Sequence, residues 1–136
     1  MIVSVAEIRV EINSDQDIVV ARQKGRILAG ELGFSSGDAT LIATAISELA
    51  RNIVSYARAG EIKLKGIHGS SRVGILVIAS DDGPGIIDIR QALRDGFSTS
   101  GSLGLGLPGV RRLMDEFEIT SQPGKGTMVA VKKWRQ

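Results

Sequence analysis

The sequence predicts an α+β two-layer sandwich, in which a mixed, mainly antiparallel sheet is covered by one layer of helices. Three observations predict it. The periodicities along the chain follow the order β-α-α-β-β-α-α-β-β. Neighbouring strand segments are joined by short polar turns, which favours antiparallel pairing. The helical segments come in pairs, which groups them on one side of a sheet.

Each element has a local cause. Within residues 3–12, Ile8, Val10 and Ile12 alternate with Arg9 and Glu11, the period of a half-buried strand. Ser14 or Asp15 then offers an N-cap, and a first helix runs to about Leu32, closed by Gly33. A second helix, from Ser36 or Asp38 to about Ala57, carries the apolar stripe Ile42, Ala45, Ile46, Leu49, Ile53 and Tyr56 at helical spacing. Ile62, Leu64 and Ile67 mark the next strand, with Glu61, Lys63 and Lys65 turned outward. Residues 73–79 are apolar at nearly every position, which predicts a central strand covered on both faces or a core strand. A short helix is expected over residues 87–94, and a Ser/Thr/Gly loop over 97–101. A helix over residues 107–117 follows, with Pro108 in its first turn. Two last strands, roughly 117–121 and 127–134, flank the turn Gln122-Pro123-Gly124-Lys125-Gly126.

Composition sets the class. The 136 residues make one domain, 1–136, large enough for a proper core, and 43% hydrophobic residues fit a globular chain. With no cysteine, disulfides and thiolate metal sites are excluded, and the single His68 argues against a multi-histidine metal centre. The N-terminus lacks a basic n-region and soon meets Glu7, Arg9 and Glu11, so a cytoplasmic location is expected. The run Ile75-Leu76-Val77-Ile78-Ala79 is far too short to span a bilayer, so no membrane is expected as a partner. A net charge of +2 and 4% aromatic content give neither the field nor the stacking platform for nucleic acid. The oligomeric state is not legible from these features.

Three segments carry chemistry. Glu48 and Asn52 stand four residues apart on the second helix, on one face at the border of the apolar stripe. An amide oxygen there can bind Mg²⁺, and a carboxylate beside it can take a proton from an attacking hydroxyl. Alone, the pair reads first as solvated helix surface. Asp81 follows the apolar strand and opens Asp81-Asp82-Gly83-Pro84-Gly85. Its carboxylate can accept a hydrogen bond from an exocyclic amine such as that of adenine, while Gly83 and Gly85 let backbone approach a planar ring. Alone, the segment reads equally well as an ordinary turn. Gly104 and Gly106 precede a helix, whose free N–H groups and dipole favour phosphate. The run Gly104-Leu105-Gly106-Leu107-Pro108-Gly109 satisfies G-x-G-x-x-G. It follows a polar loop instead of a strand, and no acidic residue lies at the right distance beyond, so a Rossmann site is rejected. Gly124-Lys125-Gly126-Thr127 lacks the glycine spacing of a Walker A loop, and the catalytic loop of eukaryotic-type protein kinases is missing.

The order of these segments is more specific than any one of them. Glu48 and Asn52 on a helix, then Asp81-x-Gly83-x-Gly85 after a strand, then Gly104-x-Gly106 before a helix, then Gly126-Thr127 on a late strand, resembles the nucleotide site of the GHKL ATPase/kinase superfamily. The resemblance covers nearly the whole chain and implies the Bergerat ATP-binding fold. It implies that Asn52 ligates Mg²⁺, Glu48 is the catalytic base, Asp81 binds adenine with Thr127 nearby, residues 86–103 form an ATP lid, and Gly104 and Gly106 lie at the phosphates.

Within the superfamily, Ile46-Ser47-Glu48-Leu49-Ala50-Arg51-Asn52, Asp95-Gly96-Phe97-Ser98-Thr99-Ser100-Gly101 and the stretch from Leu107 to Phe117 look like the small stressosome switch kinases of the RsbT type. That resemblance implies a serine/threonine protein kinase that transfers the ATP γ-phosphate to STAS-domain stressosome proteins. The kinase is then released to bind and activate a PP2C-type phosphatase in a bacterial stress response. The alternative is an anti-sigma factor of the same fold, which sequesters a sigma factor in an ATP-dependent way. Both share every nucleotide motif.

Overall fold

A computed structural model describes residues 7–57, 59–83 and 106–136. The elements are β1 (Ile8–Ile12), α1 (Asp15–Glu31), α2 (Ser36–Tyr56), β2 (Gly60–His68), β3 (Val73–Asp81), α3 (Gly106–Leu113), β4 (Glu116–Ser121) and β5 (Thr127–Trp134). The helix expected over 87–94 and the loop over 97–101 lie outside the described residues.

The two first helices start at side-chain caps. The Asp17 carboxylate reaches back to the N–H groups of Asn13, at 2.8 Å, and Ser14, at 3.2 Å. Ser35 Oγ accepts from the Asp38 N–H at 3.1 Å. Gly33, at φ 90°, ends α1 in the left-handed region, and the Phe34 N–H returns to the Ala29 carbonyl. The link to α2 is only four residues, so the helices form an antiparallel hairpin. Gly25 allows them to approach closely, because a Cβ there would collide with Ile46 Cδ1.

The five strands run in the order β1-β2-β3-β5-β4, and every described pairing is antiparallel. The α+β sandwich is as expected, and its sheet is antiparallel throughout the described pairings where the sequence predicts a mixed, mainly antiparallel one. The reason is that β4 takes the edge and its tight turn brings β5 back between β4 and β3. The helices cover one face. Ile12, Leu28, Ile42, Ile46, Leu49, Ile53, Ile62, Leu64, Ile75, Val77, Val110 and Val131 are its largest fully buried side chains. At ~25 cal/mol per Å² of apolar surface removed from water, this layer is the main source of stability.

The strand alternation corrects two expectations. β3 is central, but of its apolar side chains only Val73, Ile75, Val77 and Ala79 face the helices; Leu76 and Ile78 are half-buried on the opposite face. In β2, Gly66 and not Ile67 continues the row of Ile62 and Leu64, since side chains alternate strictly. A Cβ on Gly66 would stand 2.9 Å from Leu32 Cδ2, so the row needs a glycine there.

α3 ends at Leu113, short of the expected Phe117. The Asp115 N–H bonds to the Lys132 carbonyl, and Phe117 pairs with Val131 in the β4–β5 ladder. Lys133 is buried at the seam, and its Nζ donates to the Leu113 carbonyl at 3.0 Å, capping the helix end. Lys133→Met keeps the aliphatic stem and strands that carbonyl. It is expected to lower stability by about 1–3 kcal/mol, read from the urea midpoint. An unchanged midpoint would show the bond to be dispensable.

Candidate functional site

α2 is the central helix: it packs against both α1 and α3, and it touches β1, β2 and β3. Its sequence is amphipathic, with Ala39, Ile42, Ala43, Ala45, Ile46, Leu49, Ala50 and Ile53 all buried. Glu48 and Asn52 stand beside this stripe and are half-buried, as expected for a helix face that borders a cleft. Glu48 Oε2 is shut off from solvent and has no hydrogen-bond partner among the described residues, and the same holds for Arg51 Nε one turn further on. Buried polar atoms are nearly always satisfied, because leaving one unpaired costs ~1–3 kcal/mol. An unpaired carboxylate oxygen on this face makes Glu48 a candidate for contact with a ligand.

The second half of the site is the end of the sheet. Asp81 is the last residue of β3, on the helix-facing side, continuing Ile75, Val77 and Ala79. Its Oδ1 accepts the Gly83 N–H at 2.9 Å, an Asx-type turn that orients the carboxylate. Asp81 pairs directly with Thr127, the first residue of β5, and Thr127 pairs with Ser121 at the end of β4. Paired residues share a face, so these three polar side chains form a row under the helical layer. The Ser121 and Thr127 hydroxyls lie 2.8 Å apart, and Ser121 Oγ donates to the Gly126 carbonyl at 3.1 Å.

Close packing joins the two halves. A Cβ on Gly83 would lie 2.6 Å from the Ala57 Cβ, so the turn after β3 rests on the C-terminal end of α2, beyond Asn52. Gly126 is held at φ +83°, and a Cβ there would run into the Asp81 carbonyl. Gly106 begins α3 at φ 53°, a turn conformation that glycine adopts freely, and Leu107, Pro108 and Val110 bury that helix against the core.

Of the residues the sequence singled out, Asp81, Gly83 and Thr127 therefore meet at one sheet end. Glu48 and Asn52 share a face of the helix above it, and Gly106 starts the helix packed on α2. Gly85, Gly104 and the lid at 86–103 lie outside the described residues. Sequence reading missed Ser121. Its parity with Phe117 and Ile119 was the available signal, obscured because the preceding helix was drawn over the start of β4.

The donors suit magnesium. Asn52 and Glu48 offer hard oxygen atoms, and no cluster of three or more His, Cys, Asp or Glu that could cage a metal exists among the described residues. Mg²⁺ demands no such cage, since it keeps several waters and takes the rest of its ligands from phosphates. No helix among the described residues is long and apolar enough to cross a membrane.

Comparison with known proteins shows the family and the fold. Residues 37–135 match the family described as histidine kinase-, DNA gyrase B-, and HSP90-like ATPase. The chain is 54% identical over 125 residues to the serine/threonine-protein kinase RsbT of Bacillus subtilis, covering 92% of this chain and 94% of that protein. It is 31% identical over 129 residues to the anti-sigma F factor of Thermoanaerobacter sp., covering 90% and 89%. Among solved structures, the mycobacterial sensor histidine kinase MprB superimposes with a TM-score of 0.56 at 16% identity, over 96% of this chain and 99% of that one. The catalytic domain of histidine kinase ThkA gives 0.52 at 18% identity, over 93% and 95%. At these identities the structural matches speak to the fold.

Proposed function

The chain belongs to the histidine kinase-, DNA gyrase B-, and HSP90-like ATPase family, and from that premise we propose that it is a serine/threonine protein kinase of the RsbT type. Its acceptors are STAS-domain proteins of a stressosome, and after transfer it binds and activates a PP2C-type phosphatase. The observation that carries the kinase reading is Glu48 Oε2, buried without a partner among the described residues on the helix face that also presents Asn52. The 54% identity to a serine/threonine-protein kinase supports it.

The mechanism follows from these placements. Asp81 accepts the adenine amine through the oxygen that its turn leaves available, and Thr127 lies beside it. Asn52 would hold Mg²⁺ through its amide oxygen, and the ion would supply positive charge that offsets the charge of the phosphates. The N–H groups at the start of α3 face the phosphates. Glu48 Oε2 takes the proton as the acceptor hydroxyl oxygen bonds to the γ-phosphorus and the bond to the leaving ADP oxygen breaks. Phosphoryl transfer needs positioning and charge neutralisation more than covalent help, which fits a small site of this kind. Phosphate added to the acceptor changes the charge at the contact and favours release toward the phosphatase.

Incubation with γ-labelled ATP and purified STAS-domain proteins, followed by mapping of the label, tests the reading. Label on a serine or threonine is expected; ATP binding with no transfer to any STAS protein would overturn it. The relatives named anti-sigma F factor favour a second reading, an ATP-dependent anti-sigma factor. Stoichiometric capture of a purified sigma factor, with no capture of STAS protein or phosphatase, is the outcome that selects it.

Asp81→Asn tests the nucleotide end separately. The substitution keeps shape and the bond from Gly83, but replaces a charged acceptor with a neutral amide. ATP affinity is expected to fall about 10-fold to 100-fold, the value of a charge-assisted hydrogen bond of ~1.5–3 kcal/mol. A calorimetric titration with unchanged affinity would remove Asp81 from the adenine pocket.

A further inference from the structure

At the end of the sheet, two neighbouring hydroxyls have their protons fixed by what surrounds them. Ser121 closes β4 and Thr127 opens β5, and the two are paired across the hairpin with their side-chain oxygens 2.8 Å apart. Ser121 Oγ also lies 3.1 Å from the Gly126 carbonyl oxygen, which can only accept. A serine hydroxyl has a single proton, and the Gly126 contact takes it. The contact with Thr127 is then a hydrogen bond only if Thr127 is its donor. The network therefore runs in one direction, from Thr127 to Ser121 to the Gly126 carbonyl. In the reverse direction Ser121 Oγ and the Gly126 carbonyl would face each other with lone pairs alone. Gly126 is buried and held at φ +83°, with the Asp81 carbonyl packed where a Cβ would stand, so this acceptor is a fixed anchor.

Thr127 has thereby used its proton inside the protein, and toward the site it offers lone pairs. Asp81, its partner across the β3–β5 ladder, is an acceptor as well, with Oδ1 oriented by the Gly83 N–H. Two adjacent acceptors match a group with two N–H bonds. The 6-amino group of adenine is such a group, whereas a 6-oxo group sets lone pairs against both. A bridging water keeps the same sense. It gives one proton to Thr127 and the other to the bare N1 of adenine, but meets an N1–H in a 6-oxopurine.

We propose that Ser121 is a specificity-determining positioning residue: by accepting the Thr127 hydroxyl proton it fixes Thr127 as an acceptor, and so selects 6-aminopurine over 6-oxopurine nucleotides. It acts through Thr127 and need not touch the nucleotide. A site whose polar groups are all committed as acceptors rejects an analogue that lacks the donors, because those groups would be left unpaired. With Ser121 removed, the Thr127 hydroxyl turns outward and donates to the 6-oxo oxygen. This rests on the adenine assignment of Asp81 above.

The test is calorimetric titration with ATP and with ITP, its 6-oxo, N1–H counterpart. The proteins are wild type, Ser121→Ala, Ser121→Thr, and Thr127→Val with and without Ser121→Ala. Wild type is expected to favour ATP by about 100-fold or more. Ser121→Ala shrinks that preference about tenfold, chiefly by tighter ITP binding, and Ser121→Thr restores it. Ser121→Cys keeps the bulk with only a weak acceptor, so it moves the ratio the same way should the alanine variant lose its thermal midpoint. In the Thr127→Val background Ser121→Ala changes the ratio by less than about twofold, because the hydroxyl it orients is gone. A purely structural Ser121 weakens both nucleotides alike, and an unmoved ratio in Ser121→Ala and Ser121→Cys would overturn the proposal. So would an equal shift in the Thr127→Val background, since Ser121 would then act by another route. If Asp81→Asn leaves ATP affinity unchanged, the adenine is not at this sheet end and both readings fall. If Asp81→Asn weakens ATP while the Ser121 variants leave the ratio unmoved, only the role of Ser121 falls.

Discussion

Glu48→Gln is expected to retain the fold and ATP affinity while phosphoryl transfer falls by roughly 10²–10⁴, the usual contribution of a positioned general base. Glutamine has the shape of glutamate, and the buried side of α2 is formed by other residues, Ile42, Ile46, Leu49 and Ile53, so packing does not change. The adenine end, Asp81 and Thr127, lies on the sheet and is not touched. What changes is the group at the Oε2 position, which is buried and has no partner among the described residues. A carboxylate there can accept the acceptor's proton; an amide cannot. The measurement is a paired one: ATP affinity by calorimetry and label transfer to a STAS-domain acceptor by the same preparation. Lost affinity together with lost transfer would make Glu48 a binding residue. Wild-type transfer from the variant would remove it from the base role.

Glu48 is legible in the sequence as a candidate only through its context. Glu48 and Asn52 at i and i+4 occur on countless solvated helices, and nothing in that spacing reveals that one oxygen is closed off from water. Burial of that kind is a tertiary property, which no local spacing encodes. The strands were more legible, because a period of two survives any tertiary arrangement: Ile8, Val10 and Ile12 in β1, or Ile62 and Leu64 in β2, lie where alternation puts them. Alternation failed at Gly66, where the core-facing position is empty because Leu32, remote in sequence, occupies the space. It failed again at Phe117, an apolar residue that continues a helical stripe as well as it starts a strand. Long-range ladder bonds, such as Asp115 to Lys132, decide such a case. The one-sided cover of β3 was hidden for a related reason. Leu76 and Ile78 are apolar without being under the helices, and composition alone does not distinguish a covered face from an open one.

A pair of glycines in one turn separates backbone conformation from site geometry. Gly124 and Gly126 both hold positive φ, 77° and 83°. A Cβ on Gly124 would meet nothing within 4 Å, whereas on Gly126 it would run into the Asp81 carbonyl and stand 3.0 Å from the Asp82 Cα. Gly124→Ala therefore incurs only the left-handed strain of an L-residue, about 1–2 kcal/mol, with ATP affinity retained. Gly126→Ala incurs the same strain and in addition must push apart β5 and the end of β3. That obstacle is backbone, which cannot swing aside as a side chain does. A total of about 2–4 kcal/mol is expected, in the range of strain and overpacking combined. The displacement falls on the Asp81–Thr127 pair, so ATP affinity drops by at least the tenfold expected for Asp81→Asn. Urea midpoints and ATP titrations of the two variants, side by side, check both parts. Equal stability losses would mean that the hairpin relaxes without resistance. An intact ATP affinity in Gly126→Ala would mean that the row of Asp81, Thr127 and Ser121 is not where the adenine binds.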